Sequence, residues 1–352
     1  MSNPVVRSML YFPCPRRCGV RMPQASAIRT NEIVGAMTSM TTAGLSADVV
    51  VVGGGVIGMS VALALAERGA AVTVVERDAL GGSASWAGGG ILSPLPPTQR
   101  ATQPDALLER SLQLYPDWCE RLASLSGIDP EYWDCGAVYY PDGGEAVRFP
   151  EISQVRNPRL LKALAASLKL RGARLLTGVS AIGWRVERGV LQGLDTSAGF
   201  LGCRRAVAAA GAWSSELGAE GIRPIKGQML LFRVAPDALS QILIGDHAYV
   251  VPRRDGRLLV GSTLEDAGFD TEPTSEALRE LSRRGGLLWP PLATLRPVAH
   301  WAGLRPCPDQ GQPLLRAAPA VQGLHLATGH HRLGITLAPA TAERIAAAID
   351  AS

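Results

Sequence analysis

The stretch from Asp48 to Asp78, DVVVVGGGVIGMSVALALAERGAAVTVVERD, restricts the fold more than any other part of the sequence. Its β-branched start, Val49–Val52, predicts a buried parallel strand. The Ala- and Leu-rich segment 56–68 predicts a helix that ends at Gly69, and residues 71–76 predict a second strand. Together these segments predict a β-α-β unit, and with it a sheet that is parallel at this point.

Three glycines in the turn between strand and helix follow the pattern G-x-G-x-x-G, at Gly53, Gly55 and Gly58. The first allows a tight turn, the second lets backbone approach a pyrophosphate, and the third lets the helix pack closely on the strand. Glu76 ends the second strand, where a carboxylate can bind ribose hydroxyls. The pattern predicts a dinucleotide site; the alternative is a glycine-rich turn with a solvated Glu76. A glutamate favours an unphosphorylated ribose but does not distinguish NAD from FAD.

A second glycine-rich loop, GGSASWAGGGILSP (Gly81–Pro94), follows the second strand directly. Its small residues would let it lie against another part of a large cofactor, which favours FAD. The alternative is a flexible surface loop.

The remaining chain alternates between two kinds of pattern. Helices are predicted around Asp105–Ser124 and after Asn157, and a strand, a glycine turn and a helix in 204–218. The middle of the chain predicts antiparallel strands in 226–234, 248–263 and 300–306, with a hairpin turn at 254–256. A strand and a helix complete the chain. Parallel α/β segments therefore flank a β-rich middle, and the fold class is mixed α/β.

The formal net charge of +4 is confined to residues 1–46, which hold five arginines and one glutamate. The rest has 30 basic and 30 acidic residues (35 − 5 and 31 − 1), so it is neutral and predicts neither nucleic-acid binding nor binding to an anionic membrane. Residues 1–46 show no core-forming pattern. We expect them to be a disordered extension or the result of a misassigned start, since Met37 and Met40 precede the first strand.

Two adjacent histidines occur in GHHRLGIT, at His330 and His331. Adjacent residues rarely share a tetrahedral metal site, and no Cys, Asp or Glu cluster lies nearby in the sequence. We therefore expect no metal.

The segments VVVVGGGVIG, VVERD, GGSASWAGGGILSP, GAWSS, KGQMLLF, YVVPRRDGRLLVGST, HWAGLRP and ATGHHRLGITLAPATAERIA occur in this order. From residue 47 to 350 the chain resembles the FAD-dependent D-amino-acid oxidase family, especially the branch that oxidises glycine for thiamine synthesis. The resemblance implies a Rossmann-like FAD-binding domain, residues 47–115, 150–222 and 305–352, and an antiparallel-sheet substrate domain, residues 116–149 and 223–304. It implies non-covalent FAD, because Cys307 is out of register with the flavin-linked cysteine of related sarcosine oxidases.

Site residues follow from the resemblance by position. Arg305, Tyr249 and Arg332 match the positions that bind and orient the substrate. The positions implied to bind FAD lie in the glycine motif, the second loop and the segment before the last helix: Gly53, Gly55, Val56, Ile57, Gly58, Glu76, Arg77, Ala84, Ser85, Gly89, Gly90, Ile91, Val179, Gly211, His330, His331, Arg332, Leu333, Gly334, Ile335 and Thr336.

The implied reaction is oxidation of glycine, or of another small amine or D-amino acid, to the imine with production of hydrogen peroxide. The imine would supply the thiazole of thiamine. We expect a cytoplasmic enzyme with an amino acid and oxygen as its partners, and a homo-oligomer is an open alternative to a monomer. Two other functions remain open: a dehydrogenase of sarcosine or D-amino acids with a different electron acceptor, and an inactive FAD-binding homologue. The segment from Tyr140 is shorter than is typical of the family, which keeps the second of these open.

Overall fold

A computed structural model of the chain describes residues 46–93 and 105–352, so the predicted extension, apart from Ser46, lies outside the described residues. The α-helices are α1 (Val56–Ala66), α2 (Ala84–Ala87), α3 (Asp105–Ser126), α4 (Asn157–Leu170), α5 (Ser275–Leu288) and α6 (Gly334–Asp350). The strands are β1 (Val49–Val52), β2 (Val72–Glu76), β3 (Ile91–Leu92), β4 (Ala137–Tyr140), β5 (Val147–Phe149), β6 (Ser153–Gln154), β7 (Arg174–Thr177), β8 (Ala181–Glu187), β9 (Val190–Thr196), β10 (Gly199–Gly202), β11 (Arg205–Ala208), β12 (Ile222–Arg233), β13 (Ile242–Gly245), β14 (Tyr249–Pro252), β15 (Arg257–Gly261), β16 (Ala299–Pro308), β17 (Leu314–Ala317) and β18 (Leu324–Thr328).

A six-stranded sheet in the order β17-β18-β11-β1-β2-β7 carries the glycine motif. All its pairs are parallel except β17 with β18. In the register, Val49 lies opposite Val72 on one side and Arg205 on the other. The four valines of β1 are at most 5% exposed, as expected for a central parallel strand covered on both faces. The predicted β-α-β unit is confirmed.

Alternate residues of β1 face two different layers. Val49 and Val51 pack with helices α1, α3, α4 and α6, whereas Val50 and Val52 pack against the sheet β10-β9-β8 through Leu191, Leu194 and Leu201. The body is therefore a three-layer arrangement of helices, parallel sheet and small antiparallel sheet.

A second large sheet has the order β16-β12-β15-β14-β13-β4-β5, and all its pairs are antiparallel except β13 with β4. One face packs against α5, where Leu281 meets Leu230, Phe232 and Val260. The sequence analysis predicted these central strands and the hairpin turn at 254–256 but missed α5. Together the two sheets confirm the predicted mixed α/β fold class.

The two sheets meet at α2, in the second glycine-rich loop. The Trp301 indole N–H donates to the carbonyl of Ala87 at 3.1 Å. A Cβ on Gly303 would lie 2.5 Å from the Ala87 Cβ, so glycine lets β16 approach α2. The contact places the inner part of β16 beside the glycine motif.

The predicted domain boundaries stay a prediction. The boundary after residue 115 falls inside α3, whose Leu108 and Leu122 lie in the same hydrophobic cluster, and the boundary at residue 305 falls inside β16.

Candidate active site

A cleft opens at the carboxyl ends of β1, β2 and β11, where parallel α/β sheets bind their ligands. We call this cavity of about 370 Å³ the dinucleotide cleft. It is lined by the glycine motif, by the segments after β2 and β11, by the second loop, and by the segment before α6.

The glycines of the motif have different structural roles. Gly53 has φ of +112°, and a Cβ there would lie 2.3 Å from the Ala209 carbonyl oxygen. Gly58 lines neither cavity of the site, but a Cβ on it would lie 1.9 Å from the Gly53 carbonyl oxygen. Gly55 faces the cleft at the N-terminus of α1. The turn therefore leaves bare backbone at a helix N-terminus, which fits the pyrophosphate of a dinucleotide.

Glu76 lies at the edge of this cleft with its carboxylate fixed by backbone. One oxygen accepts the Gly54 N–H at 2.7 Å, and the other accepts the Asp78 N–H at 2.9 Å. Each carboxylate oxygen can accept a further hydrogen bond, so ribose hydroxyls can be bound as well. The Val179 N–H donates to the Glu76 carbonyl at 3.1 Å, which brings Val179 to the same end of the cleft.

The second glycine-rich loop is anchored at both ends of α2. The Ser85 hydroxyl accepts the Val56 N–H at 3.0 Å, at the start of α1. The Asn157 side-chain amide donates to the carbonyls of Ser85, at 2.8 Å, and Gly88, at 3.0 Å. The described part of this loop is thus a fixed wall of the cleft.

Of the two histidines before α6, His330 is buried and His331 is half-buried, and both are neutral at pH 7. Burial lowers the pKa of His330 to about 3, and its Nε2 lies 3.1 Å from the Thr341 hydroxyl. Burial, and to a smaller extent the positive charges of Arg305 and Arg332, lower the pKa of His331 to about 3. His331 lines the dinucleotide cleft, and its Nε2 is buried with no hydrogen-bond partner among the described residues. A ligand in the cleft would satisfy such an atom.

Helix α6 starts at the cleft although Pro339 lies inside it. Proline has no N–H, so it cannot donate to the carbonyl four residues earlier, that of Ile335. The Tyr115 hydroxyl on α3 donates to this carbonyl at 2.5 Å. The Ser111 hydroxyl donates to the next carbonyl, that of Thr336, at 2.7 Å. Helix α3 therefore completes the first turns of α6 beside the cleft.

We predict that Tyr115→Phe destabilises the protein by about 1–3 kcal/mol, because a buried carbonyl loses its donor. Tyr115 is fully buried, so water cannot easily replace the hydroxyl. Urea unfolding gives the free energy of unfolding. The control is Tyr132→Phe, since the Tyr132 hydroxyl bonds the exposed Asp134 carboxylate. Equal stabilities of the two variants would contradict the prediction.

A second cavity of about 660 Å³ lies between the second loop and the seven-stranded sheet. We call it the substrate cavity. It shares four lining residues with the dinucleotide cleft, Gly88, Arg305, Arg332 and Ile335. The two cavities therefore adjoin at two arginines.

The Arg305 guanidinium is held at this junction by three hydrogen bonds. Nη1 donates to the carbonyls of Thr263, at 3.1 Å, and Lys226, at 3.4 Å, while Nη2 donates to the Ser262 hydroxyl at 2.8 Å. A guanidinium has five N–H groups, so two remain for a ligand. That number matches a carboxylate bound through two parallel hydrogen bonds.

Gly227 on β12 makes room for this guanidinium, since a Cβ there would lie 2.1 Å from the Arg305 Nη1. Burial, and secondly the charge of Arg332, lower the pKa of Arg305 to about 10. The side chain thus stays charged at neutral pH. A charge held in a poorly solvated place favours an anionic ligand group.

Tyr249 and Arg332 line the substrate cavity with Arg305. The Tyr249 hydroxyl donates to the Met229 sulfur at 3.2 Å, and a Cβ on Gly89 would lie 3.1 Å from the Tyr249 ring. Burial lowers the pKa of Arg332, against the opposing effect of Tyr249. The structure therefore brings all three predicted substrate residues to one cavity; their roles stay predictions.

The predicted cofactor residues divide between the two cavities, and Gly58 lies behind the cleft. Within the dinucleotide cleft lie Gly53, Gly55, Val56, Ile57, Glu76, Arg77, Ala84, Ser85, Val179, Gly211, His330, His331, Arg332, Gly334 and Ile335. Within the substrate cavity lie Gly89, Gly90, Ile91, Arg332, Leu333, Ile335 and Thr336. The sequence analysis missed supporting residues whose signal is three-dimensional, namely Tyr115, Asn157, Gly227, Arg253 and Ser262.

Neither a metal site nor a membrane-spanning helix is found within residues 46–93 and 105–352. They contain no group of three or more His, Cys, Asp or Glu side chains placed to hold a metal ion. In the same part of the chain, every helix is too short or too polar to cross a bilayer.

Comparison with known proteins agrees with this geometry. The model of the FAD dependent oxidoreductase family (DAO) matches residues 48–148 and 140–348, and a pyridine nucleotide-disulphide oxidoreductase model matches residues 13–81. The glycine oxidase of Pseudomonas putida is 39% identical over 340 residues, 85% of this chain and 93% of that protein. The bifunctional protein ThiO/ThiG of Trichormus variabilis is 33% identical over 86% of this chain and 52% of its own length.

Among solved structures, the glycine oxidase of Geobacillus kaustophilus superposes with a TM-score of 0.83 at 27% identity, covering 88% of this chain and 95% of that chain. The resemblance seen in the sequence is thereby confirmed. A dinucleotide cleft joined to a small-molecule cavity, together with a family match over most of its length, places this chain in the FAD dependent oxidoreductase family.

Proposed function

We propose that this protein oxidises glycine, or a closely related small amino acid, to the imine, with FAD as cofactor and oxygen as final electron acceptor. The observation that carries the proposal is the position of Arg305, a half-buried, charged guanidinium at the junction of the two cavities. A small amino acid offers few groups to bind, and its carboxylate is the strongest of them.

FAD fits the cleft on three observations. The glycine turn exposes backbone N–H groups at the N-terminus of α1, and Glu76 lies within reach of a bound ribose. The buried Nε2 of His331 has no hydrogen-bond partner among the described residues. When bound, FAD supplies a two-electron acceptor for the hydride of the substrate Cα and a donor of those electrons to oxygen. We infer that the FAD is held without a covalent bond.

The residues of the chain position the substrate. Arg305 would bind the carboxylate with its two remaining N–H groups, and the Tyr249 hydroxyl would turn its one hydrogen from the Met229 sulfur to the same carboxylate. With the carboxylate fixed at the junction, Cα lies at the boundary between the two cavities. No strong base is needed if the amine binds neutral.

Positive charge at the end of the cleft next to the substrate cavity suits a cofactor that becomes an anion on reduction. Arg305, Arg332 and the N-terminus of α6 all lie there. A helix N-terminus carries partial positive charge, and buried positive groups stabilise a developing negative charge strongly. His331 contributes no charge, because its pKa is about 3.

An anaerobic titration tests the proposal. Purified protein is mixed without oxygen with glycine, sarcosine, D-alanine or D-proline, and the flavin absorbance is followed. We expect bleaching by at least one of these, most strongly by glycine, and one hydrogen peroxide per imine on admission of air. Methylamine, which lacks the carboxylate, is the matched control and should leave the flavin oxidised.

Other outcomes point to the other functions. Bleaching without peroxide on admission of air would indicate a dehydrogenase with a different acceptor. Flavin that no amino acid bleaches would indicate an inactive homologue. Colourless protein would contradict the FAD proposal itself.

A place in thiamine synthesis and a cytoplasmic location remain proposals. The imine of glycine is a suitable precursor for a thiazole, and the ThiO/ThiG protein joins a chain like this one to a second protein. If a strain that contains this enzyme oxidises glycine but still requires added thiazole for growth, the biosynthetic role is contradicted.

A further inference from the structure

Arg253 is a buried cation that the mechanism above does not use. It follows β14, in the hairpin that leads to β15, and only 6% of it is exposed. Its neighbour Arg254 lies in the same turn and is exposed. Two adjacent arginines of one hairpin thus have opposite surroundings.

All hydrogen bonds of the Arg253 guanidinium go to neutral acceptors. Nη2 donates to the Gly89 carbonyl at 2.8 Å, and Nη1 donates to the Val155 carbonyl at 3.0 Å and to the Gln154 side-chain oxygen. The acids nearby, Glu131 and Asp255, form ion pairs with Arg156. Among the described residues Arg253 forms no ion pair, so its charge is not cancelled by contact with a carboxylate.

Burying a cation without a carboxylate partner costs free energy, because the charge loses its hydration. We therefore ask what the charge of Arg253 does. Burial, and secondly the charge of Arg156, lower the pKa of Arg253 to about 10. The group therefore stays charged at neutral pH. Glutamine, the neutral donor nearest in size, has only two N–H groups, so the three acceptors favour a guanidinium, and its charge is thereby placed beside the Gly89 carbonyl.

The Gly89–Gly90 peptide links this charge to the site. It is trans, since the one cis peptide among the described residues is Gly261–Ser262. In a trans peptide the N–H points away from the carbonyl, so the Gly90 N–H points away from Arg253. A hydrogen bond to the carbonyl polarises the peptide and makes its N–H a stronger donor.

The orientation of this peptide is fixed. Gly90 has φ of +73°, and a Cβ there would lie 2.1 Å from the Val155 carbonyl oxygen. Gly89 and Gly90 line the substrate cavity beside Tyr249, and the preceding Gly88 lines both cavities. The polarised peptide thus stands at the boundary where substrate and flavin would meet.

We propose that Arg253 is a positioning residue whose positive charge, acting through the Gly89–Gly90 peptide, raises the reduction potential of the bound flavin. The proposal rests on FAD binding as proposed above. It gives the buried cation a role in electron acceptance, beyond that of holding the second loop against β6.

Three substitutions separate the effect of the Arg253 charge from the effect of its hydrogen bonds. Arg253→Lys keeps the charge, Arg253→Gln keeps a hydrogen-bond donor without the charge, and Arg253→Met removes both. Arg254→Met is the matched control, because it removes an exposed arginine from the same turn. The reduction potential is measured on FAD-loaded protein by anaerobic equilibration with redox dyes, which needs no amino acid. Thermal unfolding of each variant reports the structural role.

We expect the potential to fall in Arg253→Gln and Arg253→Met, to stay near the parent value in Arg253→Lys, and to be unchanged in Arg254→Met. The limiting rate of flavin reduction by substrate should fall about tenfold in Arg253→Gln, with KM changed much less, since about one charge-assisted hydrogen bond is lost. Should Arg253→Met fail to fold, the Gln and Lys variants still decide.

Equal potentials in Arg253→Gln, Arg253→Lys and the parent would overturn the proposal and leave Arg253 with a structural role only. This failure is distinct from failure of the proposed function. Absence of FAD in the parent protein, or flavin that no amino acid bleaches, would be seen before any Arg253 variant is made.

Discussion

Arg305→Ala should lower kcat/KM for the amino-acid substrate by roughly thirty- to several-thousand-fold. Loss of one partner from a desolvated, hydrogen-bonded charge pair costs ~2–5 kcal/mol, which converts to a factor of this size. Steady-state oxygen consumption measures it.

The structure adds a reason to expect the upper part of this range. Three hydrogen bonds to Ser262, Thr263 and Lys226 fix the guanidinium before substrate arrives. The orientation therefore costs little when substrate binds. Arg305→Lys should recover only part of the loss, because an ammonium cannot form two parallel hydrogen bonds and has only three N–H groups for the three acceptors and the carboxylate together.

Ser262→Ala is the control for Arg305. It removes the hydroxyl that accepts from Nη2 but leaves the guanidinium, so a smaller loss is expected, about 0.5–1.5 kcal/mol for one hydrogen bond. The flavin spectrum should persist in all three variants. An Arg305→Ala enzyme that oxidises its amino acid as well as the parent does would show that the substrate binds elsewhere.

The parts of the site that local sequence predicts are those whose chemistry is local. Gly53, Gly55 and Gly58 mark the turn because backbone geometry alone demands glycine there, and Glu76 is placed by the length of the strand before it. The predicted strands 49–52 and 72–76 follow from runs of valine that suit a parallel strand covered on both faces. For such features the neighbours along the chain carry the information.

The supporting residues depend on what lies opposite them in space. Arg253 and Arg254 are identical in type and adjacent in sequence, yet one is buried and the other exposed, because only one side of their hairpin faces the second loop. Tyr115 acquires its role from Pro339, which lies 224 residues later in a different helix (339 − 115). No local pattern relates such pairs.

Helix α5 is a different kind of omission. Thr274 caps it by accepting the Ala277 N–H at 3.3 Å, and Ala277, Leu281 and Gly285 form its buried stripe. This signal was present in the sequence. Two glycines, Gly285 and Gly286, weaken the helical pattern, and packing against Val260 and Leu292 stabilises the helix nevertheless.

Gly58→Ala should reduce FAD affinity by about tenfold or more, since each lost hydrogen bond to a charged group costs ~1.5–3 kcal/mol. The added Cβ would lie 1.9 Å from the Gly53 carbonyl oxygen, against the 3.0 Å that real Cβ atoms need. Either α1 or the glycine turn must therefore move by about 1 Å. Helix α1 cannot move freely, because Met59, Val61 and Leu63 are fully or almost fully buried.

The displacement therefore falls on the turn, whose Gly53 already holds φ of +112° close against Ala209. The backbone groups that would meet the pyrophosphate lose their alignment, although Gly58 itself touches no ligand. Flavin content and an FAD dissociation constant measure the effect. Gly183→Ala on β8 is the control, since a Cβ there meets nothing within 4 Å. If Gly58→Ala binds FAD as tightly as Gly183→Ala does, the close packing of α1 on β1 does not set the cofactor site.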